Sequence, residues 1–319
     1  EMTAASLLRE RQITDIVLNA ASQDLNNTAQ GRRAFAVPFA SAYRRSHTND
    51  RIGAEGNTYG VVFGAQIAAG MHNAWTIGVH GAVSGQSTNV DSHAPGSGQS
   101  TALNVGIHAY FAPATREGIY SFAMAQVGIE DARLDRSLRT IPTSGTSVGA
   151  TMLGKWTGTQ ATTTVGGGWR WTLGEQTSMG LISALDYQWL YRPNLTESGD
   201  AGRLQLTATS FHSLRTRLGG EWRAIVGDDT TETITTSVSA TWNHELLNNN
   251  VQQNAAFVGY SQALLTSRTS VVLRDSISLR AGLSYQPAKN TVLEATLGST
   301  VWRDGGVDMN GSLSVNWRF

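Results

Sequence analysis

The chain has no cysteine, which excludes a disulfide scaffold and a thiolate metal site. It has no excess of either charge. Lys+Arg and Asp+Glu each total 24, so nothing supplies the basic patch or stripe that nucleic acid requires. It also lacks a long apolar run. No stretch approaches the roughly 20 apolar residues of a transmembrane helix, and the longest helix-like segment, 3–26, carries Arg9, Glu10 and Arg11. Proline is scarce, 6 in 319 residues, whereas glycine is plentiful at 34. No signal peptide stands at Glu1, so the chain reads as a piece of a longer precursor. The length allows one large β domain or two smaller ones.

Two periodicities divide the sequence. Leu7, Leu8, Ile16, Val17 and Ala20 recur at helical spacing, and the cluster of small polar residues at 24–31 ends that segment. From Arg33 onward the period is two. The first strand is read with Phe35, Val37, Phe39 and Tyr43 facing outward and Ala34, Ala36 and Ala40 inward. The second sets Tyr59, Val61, Phe63 and Ile67 against Gly60, Gly64 and Gln66. The third sets Trp75, Ile77, Val79 and Val83 against His80 and Ser84. The pattern continues through a fifth strand of ambiguous phase within 119–129, and reaches twelve with Leu313, Val315, Trp317 and Phe319. Short links at 70–74, 113–116, 174–178, 227–231 and 287–290 alternate with long polar links at 47–57, 85–100, 131–158, 193–208 and 247–274. One exception falls at 304–307, where a long link was due.

A soluble sandwich shows the same alternation with its apolar side inward. Three features favour a membrane barrel instead. Aromatic residues gather toward strand ends, including Tyr43, Tyr59, Trp75, Phe111, Trp171, Trp189, Trp222, Trp242 and Phe319, as in interfacial girdles. The polar faces carry Arg170, Asp186, Arg215, Arg217, Glu221, Arg223, Arg280 and Glu294. Such charges pair across a wet interior but cost about 2–4 kcal/mol near the midplane of a lipid face. A sheet that spans lipid must also close on itself, because lipid offers no partner to a backbone N–H or C=O. The reading is an all-β transmembrane barrel of about 12 antiparallel strands with one N-terminal α-helix in its pore. Residues 1–31 form the linker helix and residues 32–319 the barrel. Polar-face glycines such as Gly60, Gly64, Gly78, Gly106, Gly166, Gly168, Gly180, Gly219, Gly282 and Gly298 are expected to make room for that helix, the alternative being relief of strain at barrel bends.

The terminal strand Gly311-Ser-Leu-Ser-Val-Asn-Trp-Arg-Phe319 resembles the outer-membrane assembly signal. Its last aromatic residue follows apolar Leu313, Val315 and Trp317. The stretch Ala184-Leu-Asp-Tyr-Gln-Trp-Leu-Tyr191, then Leu195-Thr-Glu-Ser-Gly199, then Arg215-Thr-Arg-Leu-Gly219 is similar to the C-terminal translocator domains of autotransporters, the type V secretion family. The resemblance covers nearly the whole chain. It implies a bacterial outer-membrane barrel that anchors in lipid, is read by the barrel-assembly machinery, acts as a monomer and delivers its own N-terminal passenger to the cell surface. It implies no cofactor and no nucleic-acid partner. Some members cut their linker by asparagine cyclisation, which makes Asn26 and Asn27 the candidate positions, although the surrounding residues depart from the self-cleaving motif.

Other signals carry less. Gly145-Thr-Ser-Val-Gly149 matches a nucleophile elbow but lacks the strand-turn-helix setting. The seven histidines show no zinc spacing, although His80 and His108 are placed to face each other on neighbouring strands. No phosphate-cradling glycine loop is present. The competing classes are a porin-like diffusion channel and an outer-membrane barrel enzyme. The link 131–158, with acids and arginines but no histidine, speaks against the second.

Overall fold

The computed structural model describes residues 2–22, 32–46, 53–69, 74–91, 96–112, 117–139, 149–200, 202–226, 233–247, 250–270, 274–288, 290–303 and 305–319. The one helix among the described residues, α1 (Met2–Ser22), has neither glycine nor proline, so nothing interrupts its ladder. Twenty-one residues give about 31 Å of helix, close to the thickness of a bilayer's hydrocarbon core. No helix among the described residues is long and apolar enough to cross a membrane, which says nothing about crossing by strands.

Twelve long strands form the wall: β1 (Arg32–Arg45), β2 (Gly53–Ala69), β3 (Trp75–Asp91), β4 (Gly96–Phe111), β5 (Gly118–Arg139), β6 (Gly149–Thr172), β7 (Thr177–Arg192), β11 (Thr209–Val226), β12 (Thr233–Glu245), β15 (Asp275–Ala288), β16 (Thr291–Trp302) and β17 (Gly306–Arg318). Each pairs antiparallel with its neighbours, and β1 pairs with β17 to close the ring. Five shorter strands lie at one rim: β8 (Leu195–Thr196), β9 (Ser198–Gly199), β10 (Leu204–Leu206), β13 (Asn250–Phe257) and β14 (Tyr260–Ser270). Four of them make a separate small sheet in the order β14-β13-β10-β8.

The long links are shorter than the sequence suggests. Strands β5 and β6 stay paired from Gly118↔Arg170 out to Arg139↔Gly149, so most of the segment read as a polar link is strand. The same holds for β3 and β4, paired out to Val90↔Gly96. Strands β13 and β14 occupy much of the link between β12 and β15. Polar alternation beyond the apolar band hid these extensions, because neither face there needs to be oily.

Outward residues form an apolar band. Val105, Ile107, Leu181, Leu279, Leu297 and Leu313 are all exposed, an arrangement that water penalises and hydrocarbon does not. Outward aromatics mark both edges of the band: Trp75, Trp171, Trp222 and Trp317 at the end of the short turns, Tyr59, Tyr187, Tyr191 and Trp242 toward the other.

Strand β1 reverses the expectation. Phe35, Val37, Phe39 and Tyr43 point into the lumen and are buried, at 3%, 2%, 5% and 3% exposure. Ala36, Pro38 and Ala40 face outward. The apolar stripe of β1 packs with Ile13, Ile16, Val17 and Ala20 of the helix, together with Val62, Ala82 and Met124. Both faces of this strand meet apolar surroundings, so alternation alone does not say which is out. Tyr43 is consequently not in a girdle, and its hydroxyl sits 2.8 Å from Thr88 Oγ1.

Several inward glycines serve the neighbouring strand rather than the helix. Phe35 pairs with Gly64, Phe39 with Gly60 and Tyr43 with Gly56. Each ring lies across its glycine, where a Cβ would clash. Phe122 and Tyr120 cover Gly166 and Gly168 in the same way, and the rings of His108 and His80 cover Gly78 and Gly106.

Candidate functional site

The lumen is the site, and α1 fills it. Met2 reaches the wall at Gly98, at the rim of the long links. Ala21 packs with Tyr110 and Tyr120 near the short turns. The helix is buried on nearly every side, charged residues included: Arg9 and Glu10 are 0% exposed. Burial of charge is tolerable only with partners, and the wall supplies them.

At the rim end, Ser6 Oγ donates to Glu130 (2.9 Å) and accepts from Gln86 (3.1 Å). Arg9 donates to Glu130 (3.0 Å), Gln160 (3.0 Å) and Ser100 (3.2 Å). Glu10 accepts from Gln126 (2.7 Å), Gln160 (2.8 Å) and Asn104 (3.2 Å). Arg11 points the other way, to Gln188 (3.1 Å), Ser213 (3.1 Å) and Glu245 (3.3 Å). Lower down, Asp15 is clamped by Arg217 (2.8 Å) and Arg280 (2.7 Å). Asn19 donates to both oxygens of Glu294, at 2.9 and 3.0 Å. Gln66 donates to the Ala20 carbonyl oxygen at 3.2 Å.

All eight charges read from the sequence lie on inward-facing strand positions, in three groups. Asp186 takes both Arg215 (2.6 Å) and Arg217 (2.9 Å), and also the Thr164 hydroxyl (2.9 Å). Glu221 takes Arg170 (2.7 Å) and Arg223 (3.1 Å), while Arg170 also donates to Tyr110 and lies over the Tyr120 ring. Arg280 and Glu294 serve the helix directly. Glu294 departs from the expected ion pair, since its hydrogen-bonding partners are the Asn19 amide and the Ser314 hydroxyl.

Sequence reasoning missed Glu130, Glu245, Gln126 and Gln160, and gave no role to Asn104 and Gln188, which it set on the polar faces of their strands. Glu130 stands at the end of the strand of ambiguous phase, just before a segment read as a loop. The recoverable signal was its spacing of two from Gly128 and Gln126 along an inward face.

Leu313, Val315, Trp317 and Phe319 all face outward, with Phe319 at 75% exposure, on a strand held between β16 and β1. Asn26 and Asn27 lie outside the described residues, as does most of the Gly145–Gly149 motif. Among the described residues no group of three or more His, Cys, Asp and Glu is placed to hold a metal ion.

Known structures share this architecture. The translocator domain of the autotransporter NalP from Neisseria meningitidis aligns over 100% of this chain and 97% of its own, with TM-score 0.74 at 12% identity. The transport unit of the autotransporter AIDA-I from Escherichia coli aligns with TM-score 0.62 at 14% identity, covering 97% of both chains. The β domain of the Bordetella autotransporter BrkA gives 0.61 at 14% identity, over 91% of this chain and 100% of that one. At these identities the likeness shows the fold. No curated protein matches the sequence. The family model described as the autotransporter beta-domain matches residues 34–298, most of the barrel, and the chain therefore belongs to the autotransporter β-domain family.

Proposed function

We propose that this translocator anchors in the bacterial outer membrane and delivers an N-terminal passenger to the cell surface. The observation that carries the reading is the path of α1. It runs the length of the lumen with its N-terminal end at the rim of long links and its C-terminal end near the short turns. A chain upstream of Met2 emerges on the side opposite the start of β1. The helix is then both tether and plug. A diffusion channel needs an open lumen, and the occupied one supports the tether instead.

Barrel assembly supplies the driving force in this reading, and the outward aromatic pattern of β17 is the strand that the assembly machinery recognises. Outer-membrane lipid and the passenger are the other partners, and the barrel acts as a monomer. The test is a fusion carrying a signal peptide and a reporter domain ahead of Glu1, expressed in a Gram-negative host. Protease added to intact cells is expected to remove the reporter and leave the barrel. Protection of the reporter in intact cells, with the barrel correctly inserted, would overturn the reading.

A further inference from the structure

Two histidines outside the ion-pair network carry a consequence for protonation. His80 on β3 and His108 on β4 are both buried, with their Nδ1 atoms 3.2 Å apart. Their outer nitrogens meet two glutamines: His80 Nε2 lies 3.2 Å from Gln126 Oε1, and His108 Nε2 lies 3.2 Å from Gln66 Oε1. The helix fixes both amides. Gln126 donates its nitrogen to Glu10 Oε2 at 2.7 Å, and Gln66 donates its nitrogen to the Ala20 carbonyl oxygen at 3.2 Å. Each amide therefore turns its oxygen to a histidine, and each histidine must donate from Nε2.

A neutral imidazole has one N–H. Two neutral rings, both donating outward, leave two bare Nδ1 lone pairs facing each other in a buried site. One added proton between them completes the chain. Turning Gln126 over does not remove the need, because its oxygen then meets the Glu10 carboxylate, which must itself be protonated. Turning Gln66 over sets its oxygen against the Ala20 carbonyl, where no proton can sit.

We propose that the hydrogen-bond chain from Glu10 through Gln126, His80, His108 and Gln66 to Ala20 binds one proton, and that this proton latches the helix to the wall. The surroundings are net negative at the Glu10 end of the chain, and Arg33 adds one positive charge at the Gln66 end. Arg9 faces two carboxylates, Glu10 at 3.3 Å and Glu130 at 3.0 Å, so this cluster carries one more negative than positive side chain. The other titratable groups nearby are Arg33 on β1, paired across from Gln66, Tyr110 on β4, and Tyr120 on β5. The Phe35 ring packs edge-on against His108, 6.0 Å between centroids.

The direction of the pH effect follows. With the helix unseated, wet imidazole and carboxyl groups titrate near ~6.5 and ~4.3, so neither holds the proton above neutrality. The seated state binds one proton more. Seating therefore weakens about tenfold per pH unit above neutrality, until the seated chain itself releases the proton.

The experiment has two arms, both on the full chain refolded in lipid. In planar bilayers, the ratio of open to closed time is expected to rise about tenfold per pH unit between pH 7 and 9. Glu10→Gln, which substitutes a neutral donor and acceptor, is expected to be flat. An equal slope in both proteins overturns the proposal. In the second arm, nitrogen-15 histidine and carbon-13 glutamate NMR at pH 7 is expected to find one excess proton, on the His80–His108 pair or on Glu10. Two neutral rings beside an ionised Glu10 overturn it. This arm needs no variant to fold and is independent of passenger delivery.

Discussion

From Arg11 to Ala20 of α1, the two halves of the wall hold the helix by different physics. On the side of β1 to β5, below the polar contacts that Ser6, Arg9 and Glu10 make with β3, β4 and β5 toward the rim, the contact is largely dry: Ile13, Ile16, Val17 and Ala20 against Phe35, Val37, Phe39, Val62, Ala82 and Met124. On the side of β7 to β16 it is charged: Arg11 to Glu245, Asp15 to Arg217 and Arg280, Asn19 to Glu294. Dry contact is set by shape and scales with area. Charged contact fixes rotation and depth, because an ion pair mismatched by one helical turn leaves charges unpaired. One half supplies adhesion and the other register, and a plug needs both.

Removing residues 1–31 erases both halves at once and is the largest change. The barrel is expected to pass from a closed state to continuous ion conductance in planar bilayers, and unchanged conductance would remove the plug from the account. Next comes the dry half alone. Ile13 is fully buried, and Ile13→Ala is expected to weaken helix seating by about 2–5 kcal/mol, read as a higher open fraction. Gly64→Val strikes the seat of the Phe35 ring and is expected to cost about 1–3 kcal/mol, seen as a lower denaturant midpoint for the barrel. In the charged half, Arg217→Ala leaves Asp15 with Arg280 and Asp186 with Arg215, so the loss is about 1–2 kcal/mol, below that of a fully orphaned buried charge. Salt gives the smallest effect and the sharpest contrast. Raising it from 0.1 to 1 M shortens the Debye length from about 10 to about 3 Å. That is expected to raise the open fraction of Ile13→Ala, which leans on the charges, more than that of Arg217→Ala. Equal responses would erase the distinction between the halves.

The wall was legible in the sequence wherever its two faces met different media. Strands such as β3, with Trp75, Ile77 and Val79 against His80 and Ser84, declare their phase because hydrocarbon lies on one side and a polar lumen on the other. Strand β1 does not, because the helix makes part of the lumen apolar there and Phe35 and Phe39 read as lipid-facing. The lumen charges on β7 and β11 were legible because charge on a strand between outward leucines has one place to go. Which helix residue each would meet was not, since pairings such as Asp15 with Arg280 depend on the depth of α1. The glycines were visible, but their role as seats for Phe35, Phe39 and Tyr43 depends on register, which single-strand patterns do not contain. The rim strands β8 to β10, β13 and β14 bury only scattered residues such as Leu195, Ala255 and Ala256, so periodicity gave no handle on them.

The seam between β1 and β17 joins the beginning and the end of the wall, separated by nearly the whole chain. Such a closure is the most remote contact the topology allows, and ring formation therefore waits on β17. A lumen this full leaves no passage for α1 to enter a finished ring while its side chains dock sideways into amide and carboxylate cradles. In the proposed reading, insertion of the plug and zipping of the seam are steps of one event, in which an unclosed wall wraps around its own contents.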